Sequence, residues 1–419
     1  MCSMIIRSSV VLALLFISIL PAALGQSQKL TVKTGIEVLA ANNFELLKER
    51  KVGLITNATG INKDLVSTVD LIFNAPGVEL IALFGPEHGV RGEFAAGAKI
   101  ASYTDEVTGL PVSSLYGATR KPTTEMLKNI DVLVYDIQDI GVRSYTYIST
   151  MGLAMEAAAE NDIEFVVLDR PNPLGGERVE GNVVEEGYFS FVSQYPIPYI
   201  YGLTAGELAK MIQNEGWLIG SEKVNLTVVP MQGWKRNMTF EETGLPWIPT
   251  SPHIPHVYSP YFYVSTGIMG ELAVFSEGVG YTTPFQVLGA EWIDERILTQ
   301  KMNALELSGV KFRPVVFKPF YGRDAGKVLH GAEIHFTDYS KADLMMIQFW
   351  FMQVHHELHP DKKIFETAET RHAMFDKVNG TNQVRLRFGM NFKVADIHDY
   401  LHKDVEPFQK KSSPYYLYK

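Results

Sequence analysis

Four clusters of polar side chains in the first half of the chain each follow directly on a run of aliphatic and β-branched residues. They are Thr56-Asn57-Ala58-Thr59-Gly60, Gly85-Pro86-Glu87-His88-Gly89, the stretch from Asp136 through Gln138, Asp139 and Arg143 to Tyr145, and Asp169-Arg170-Pro171-Asn172. Together they offer carboxylates (Glu87, Asp136, Asp139, Asp169), amides (Asn57, Gln138, Asn172), one imidazole (His88) and two guanidiniums (Arg143, Arg170). Carboxylic acids and imidazoles exchange protons with a reacting group, and arginine grips a carboxylate through two parallel hydrogen bonds. The set suits a polar, hydroxyl-rich or anionic ligand such as a sugar acid. Each cluster also has a plain structural reading. Asp-Arg-Pro-Asn-Pro can be only a turn, Asp136 a cap for a following helix, and Glu87 a solvated loop carboxylate. Four such accidents on one rim are improbable, and co-location favours a functional site.

The runs that carry these clusters are Val52–Thr56, Val78–Phe84, Asp131–Asp136 and Glu164–Asp169. Near-continuous apolar strands are buried on both faces, as in a parallel sheet. Helical stretches alternate with them at Phe44–Arg50, Leu65–Phe73, Thr123–Lys128 and Ile148–Glu160, and Thr204-Ala-Gly-Glu207 opens another with a capping-box signature. Val224–Met231 is the expected last strand of this layer. In such sheets ligands bind outside the carboxyl ends of the strands, where all four clusters lie. A boundary is expected between Gly233 and Ser251, a stretch rich in Trp, Gly and Pro. Beyond it, strands are expected at Val310–Phe317 and Ala332–Thr337, and helices at Trp292–Leu305, Ala342–Leu358 and Ile364–Val378. The second domain therefore reads as α/β or α+β.

Composition removes several classes. The chain has 419 residues, 46% of them apolar, a formal charge of −9 and one cysteine, Cys2. Residues 1–25 carry Arg7, an apolar run from Val10 to Leu20, and the small-residue ending Ala23-Leu24-Gly25, the form of a cleavable signal peptide. Its removal would leave no cysteine, hence no disulfide, thiolate metal site or cysteine nucleophile. The run is too short to span a bilayer, so a periplasmic or secreted protein without stable membrane insertion is expected. An acidic chain with no Lys/Arg block does not suit nucleic acid. No dinucleotide or phosphate-cradling glycine motif and no Gly-x-Ser-x-Gly elbow is present. No cofactor is expected. No metal is expected either, because His355 and His356 are adjacent helical positions that point apart and no other His/carboxylate clustering stands out.

The motifs Gly85-Pro-Glu-His-Gly89, Tyr135-Asp-Ile-Gln-Asp-Ile-Gly-Val-Arg143, Asp169-Arg-Pro-Asn-Pro-Leu-Gly-Gly176 and Glu180-Gly181 resemble the NamZ family of exo-β-N-acetylmuramidases, a glycoside hydrolase family formerly of unknown function. The resemblance spans essentially the whole chain after the leader, continuing through Thr282–Phe285, Gly289–Trp292, Gly331–His335 and Tyr415–Tyr418. It implies a Rossmann-like domain (26–240) followed by a smaller α/β domain (241–419), with the active site in the cleft between them. It further implies release of N-acetylmuramic acid from the non-reducing end of peptidoglycan-derived saccharides or muropeptides. The family glutamate maps to Glu87 and its second-domain tyrosine to Tyr263. Three positions depart from the family pattern: Ala58, Tyr263-Val-Ser-Thr266, and Ser276-Glu277-Gly-Val279-Gly-Tyr-Thr-Thr283, where an arginine is absent.

Glycoside cleavage generally needs an acid for the leaving oxygen and a group that stabilises the oxocarbenium-like centre. Glu87 is the candidate acid, with His88 beside it. Asp136, Asp139 and Glu277 are candidates for the second carboxylate, and assistance by the sugar's own acetamido group is the alternative. Arg143 and Arg170 are expected to hold the lactyl carboxylate. Asn57, Gln138, Tyr145, Asp169 and Asn172 complete the expected substrate contacts. Two other readings compete: a periplasmic sugar-binding protein, and a related glycosidase with altered sugar specificity.

Overall fold

Strands made of Val, Leu and Ile without polar alternation must be covered on both sides, and this requirement organises the first half of the computed structural model. The structure describes residues 32–92, 94 and 102–419, so the expected signal peptide lies outside the described residues. The strands are β1 (Lys51–Thr56), β2 (Glu79–Gly85), β3 (Tyr103–Thr104), β4 (Pro111–Ser114), β5 (Val132–Asp136), β6 (Glu164–Leu168) and β7 (Leu226–Val229). Among the described residues they form one sheet in the order β3-β4-β2-β1-β5-β6-β7. All neighbours are parallel except β3 and β4. The chain grows to one side of β1 through β2 and to the other through β5, β6 and β7. The connections leaving the adjacent strands β1 and β5 therefore run in opposite directions and open a crevice at the carboxyl edge, flanked by the loops after β2 and β5. Register brings Thr56 beside Asp136, so the polar clusters start at one level.

Helices α1 (Gly35–Ala41), α2 (Thr68–Phe73), α3 (Tyr147–Glu160) and α4 (Ala205–Asn214) cover the sheet. The expected capping box is present: the Thr204 side chain accepts from Glu207 N–H, and the Glu207 carboxylate accepts from Thr204 N–H. Two expected helices do not form. Thr123–Lys128 is a series of turns, and Phe44–Arg50 contains only the 3-10 turn Glu45–Leu47. Phe44 and Glu49 adopt positive φ, outside the right-handed helical region, and Asn129 does the same just after the second segment.

The second half contains α5 (Ser259–Gly270), β8 (Val287–Ala290), α6 (Glu295–Ala304), β9 (Val310–Phe317), β10 (Leu329–Phe336) and α7 (Ile347–Leu358). After them come α8 (Ile364–Thr367), α9 (His372–Asn379), α10 (Gln383–Asn391), α11 (His398–His402) and α12 (Val405–Ser412). The antiparallel sheet β8-β10-β9 backs α6, with α7 and α5 behind it in one core around Phe275, Phe349 and Phe351. The expected helix Ile364–Val378 is interrupted at Ala368 and resumes after a 3-10 turn. The chain end crosses back to the first domain. Phe408 joins the core beneath α3 and α4. The Tyr418 hydroxyl donates to Asp169 at 2.6 Å.

Candidate active site

β2 ends in a turn that aims Glu87 into the crevice. Gly89 N–H donates to the Pro86 carbonyl at 3.1 Å, and His88 and Gly89 both adopt positive φ. The His88 ring is held by the Phe94 carbonyl, 3.0 Å from Nδ1. Glu87 and His88 form one wall of a cavity of about 170 Å³. Ser144, Tyr145, Thr146 and Tyr147, from the loop after β5, form the second wall. The connecting segment supplies Ser251, His253 and Ile254, and the second domain closes the cavity with Tyr263 and Phe285. Loops on either side of the sheet's reversal and a roof from α5 therefore meet around one carboxylate.

Hydrogen bonds strap these pieces together. Tyr147 donates to the Thr250 carbonyl at 2.5 Å, and the Tyr145 hydroxyl lies 2.7 Å from Thr250 Oγ1. Ser144 Oγ lies 3.1 Å from the Tyr263 hydroxyl and 3.2 Å from that of Tyr199. The rings of Tyr145 and Tyr263 meet edge to face at 5.9 Å, and Tyr263 meets Phe285 at 4.9 Å. His253 Nε2 is 2.8 Å from the hydroxyl of Tyr321, on the loop between β9 and β10.

Electrostatics focus on Glu87. Burial first, and then the Glu87 charge and its hydrogen bond, push the Tyr116 phenol up to about 12. Burial raises the phenols of Tyr145, Tyr147 and Tyr263, and the Glu87 charge adds to the last two. Burial, reinforced by His88, lowers His253, while Glu87 opposes that shift. Near neutral pH the cavity thus presents neutral phenols and a neutral His253 around the carboxyl group.

The first half of the chain, residues 52–258, matches the family model described as exo-beta-N-acetylmuramidase NamZ, N-terminal, and residues 261–418 match its C-terminal counterpart. The chain is 44% identical to the peptidoglycan beta-N-acetylmuramidase NamZ of Bacillus subtilis (strain 168), over 94% of this chain and 92% of that one. The chain belongs to the NamZ family. A crystal structure of a DUF1343 family protein from Bacteroides fragilis superposes with a TM-score of 0.89 at 55% identity, covering 93% of this chain and all of that one. A second such protein from the same organism gives 0.71 at 29% identity, over 93% and 99% of the two chains.

Within this NamZ fold the expected site residues divide into two groups. Glu87, His88, Tyr145 and Tyr263 line the cavity. The others do not line it. Arg143 is fully buried, donating to the carbonyls of Asn182 (2.8 Å), Ile197 (2.7 Å) and Val378 (2.9 Å) and to Ser193 Oγ (3.2 Å). Arg170 is closed on Asp136 through two nitrogens and on the Ile61 carbonyl, and Thr68 donates to the same aspartate. Neither arginine lines the Glu87 cavity: Arg143 is fully enclosed and Arg170 is committed to Asp136. Asp169 accepts from Thr204, Gly206 N–H and Tyr418, and burial raises its carboxyl to about 6. Asn172 shapes its own turn, accepting from Leu174 N–H and donating to the Leu203 carbonyl. A Cβ on Gly141, which has φ +78°, would strike the Asn172 side chain. Gln138 donates to the carbonyls of Asp139 and Pro171. Asn57 accepts from Thr59 and hydrogen-bonds Tyr147, one layer behind the cavity wall.

Asp139 differs from these. Gly141 N–H and the Tyr201 hydroxyl occupy one of its oxygens, and the other is buried without a hydrogen-bond partner. Burial raises this carboxyl to about 6. Glu277 is buried against Arg323, 3.0 Å away, so the loop between β9 and β10 supplies a guanidinium to the turn where the family pattern has its arginine. The Glu277 carbonyl accepts from Phe285 N–H and so fixes a cavity-lining ring. Sequence reading missed Ser144, Tyr147, His253, Phe285, Tyr116 and Arg120. Arg120 lies 4.3 Å over the Phe191 ring, and its charge acts on Tyr116. Ser144 and Phe285 lie in stretches already singled out but had no role assigned, and Tyr147, His253, Tyr116 and Arg120 carry no motif signal.

Proposed function

We propose that this chain is an exo-acting glycoside hydrolase that releases N-acetylmuramic acid from the non-reducing end of peptidoglycan-derived saccharides, with Glu87 as the general acid. The observation that carries the reading is the position of Glu87, the cavity-lining carboxylate at the crevice where the sheet order reverses, surrounded by neutral phenols. A cavity of about 170 Å³ is small beside the roughly 300–1,000 Å³ of a typical small-molecule site. That size suits one terminal sugar better than an extended strand. Glu87 would give its proton to the glycosidic oxygen as the C1–O bond breaks, leaving positive charge at C1.

Of the three carboxylates considered for the second role, Asp136 and Glu277 are held in ion pairs. Asp139 keeps an unpaired oxygen, and its charge acts on Tyr145 and Tyr263. This supports Asp139, with the substrate's acetamido group as the other source of stabilisation. Because Arg143 and Arg170 are internally bonded, Arg120 is the better candidate to meet the lactyl carboxylate. Export to the periplasm or cell exterior rests on the leader-like residues 1–25, and intact mass of the protein from its native host tests it. A retained Met1 on the soluble protein would overturn export.

Turnover of a chromogenic N-acetylmuramide, compared with its N-acetylglucosamine counterpart, tests the activity. Hydrolysis of the muramide alone is expected. Binding without turnover would make the chain a sugar-binding protein, and preference for the glucosaminide would mean altered specificity.

A further inference from the structure

α11 starts at His398 and ends at His402, so the two imidazoles, four residues apart, lie on one side of the helix. Their rings stack at a centroid distance of 4.4 Å with a 26° tilt. Asp343, from the segment leading into α7, places its carboxylate 3.4 Å from His402 Nε2. One donor atom from each of the three residues lies within 4.8 Å of the other two. The spacing of the pair is visible in the sequence. The carboxylate that completes it is distant in the chain, and the expectation of no His/carboxylate cluster is corrected here.

A second observation concerns orientation. His402 Nδ1 lies 2.7 Å from the His398 carbonyl, and His398 Nδ1 lies 3.1 Å from the Asp399 carboxylate. A ring nitrogen facing a carbonyl or carboxylate carries the hydrogen and donates it. In the neutral rings Nε2 carries the lone pair, and at His402, where Nε2 faces the Asp343 carboxylate, a metal ion would take the place of a proton. Histidines that ligate metals are held this way, with the opposite nitrogen donating to a carbonyl or carboxylate. Two imidazole nitrogens beside one carboxylate suit zinc and similar ions, whereas calcium and magnesium prefer all-oxygen sites.

We propose that His398, His402 and Asp343 form a binding site for a divalent transition-metal ion of the zinc type, with water completing the coordination. The site is structural and separate from hydrolysis, since none of the three residues lines the Glu87 cavity. Its placement gives it a role. Arg178 donates to the carbonyls of Tyr339 and Ala342, and Glu180 accepts from Met345 N–H at 2.9 Å. Beyond α11, Asp404 accepts from Val183 N–H at 3.0 Å. An ion held by Asp343 and the α11 histidines would tie together the two segments that grip residues 178–183 of the first domain.

The test uses the full chain without a polyhistidine tag, stripped with a chelator and titrated with Zn²⁺. Co²⁺ serves as a spectroscopic probe and Ca²⁺ as a control. Expected are one equivalent of Zn²⁺ bound in the micromolar range or tighter, a rise in Tm on binding, and visible d–d bands with Co²⁺. His398→Ala and Asp343→Asn should each weaken Zn²⁺ binding by about 10-fold or more, comparable to losses from disturbing metal sites elsewhere. Muramide hydrolysis should be the same with and without chelator. Unchanged Zn²⁺ binding in both variants, or no micromolar binding by the wild type, overturns the site. Because the variants sit on the surface, matching circular dichroism should show that any loss of binding is not unfolding.

Discussion

The carboxyl edge of the large sheet holds two groups of polar residues that are alike in composition and opposite in use. In one group Asp136, Arg170, Thr68, Arg143 and Asp169 have every main polar contact inside the protein, and Asp136, Arg143 and Asp169 are fully buried. In the other, Glu87, His88, Tyr145 and Tyr263 face a cavity. Apart from Thr68 on α2 and Tyr263 on α5, members of both groups end strands or lie in the loops that follow them, and both contain charge. What separates them is access to the cavity, because members of the second group also have internal partners yet line the open space. A buried charge without partners is costly, so a guanidinium with carbonyls and a carboxylate around it serves the fold and has nothing left for a ligand. A charged residue at a strand end therefore becomes a candidate for chemistry only when its side chain also faces open space.

Four substitutions sharpen or break this contrast. The largest effect is expected for Glu87→Gln, which keeps size but cannot act as an acid. Its kcat should fall by about 10²–10⁴, roughly 3–5 kcal/mol in barrier, while stability changes by no more than about 0.5 kcal/mol. Steady-state kinetics with thermal unfolding of the same sample checks both. A variant keeping more than about a tenth of wild-type kcat would transfer the acid role elsewhere.

Asp136→Ala should show the reverse pattern. It leaves the Arg170 guanidinium buried without its carboxylate, a loss of about 3–5 kcal/mol of stability, read as a lower denaturation midpoint. If Asp136→Ala folds as well as the wild type but loses turnover, the division between the two groups fails.

Asp139 stands between them, being sealed like the first group but with one oxygen unpaired. Burial holds its carboxyl up at about 6, against an ordinary 3.8. The folded state therefore binds this proton more tightly than the unfolded chain. The associated stability is full below about pH 4 and lost as the pH rises through about 6. Asp139→Asn should abolish that loss, so the variant gains on the wild type between pH 4 and pH 7 by up to about 3 kcal/mol. Parallel urea titrations at the two pH values measure it. A constant difference across that range would remove the buried-carboxyl account. If Asp139 also serves as the second carboxylate, kcat of the variant falls at every pH.

The smallest effect is expected for Arg120→Ala. An exposed arginine on a carboxylate should contribute about 1.4 kcal/mol, a tenfold rise in KM for the muramide with kcat little changed. An equal rise for a substrate without the lactyl group would show that Arg120 does not read it.

Much of the scaffold was legible in the sequence because its signals are local. Unbroken apolar runs marked β1, β2, β5 and β6 to within one residue at each end, and Thr204 with Glu207 marked the start of α4. The motifs around Glu87, Asp136 and Asp169 carried the family, which the matches along the chain bear out. Elements with weaker local signals went unread. β3 and β4 are two and four residues long, and α5 is too uniformly apolar to show a helical stripe. The sequence by itself determined that parallel strands deliver four polar clusters to one edge, because strand period and burial are properties of neighbouring residues. Only the tertiary structure decided which of those side chains face a ligand. Arg143 is closed by Val378 and Arg170 by Asp136, while Glu87 faces a space roofed by Tyr263 and Phe285. Whether a charge is satisfied depends on partners brought from elsewhere in the chain, and composition and spacing do not encode those meetings.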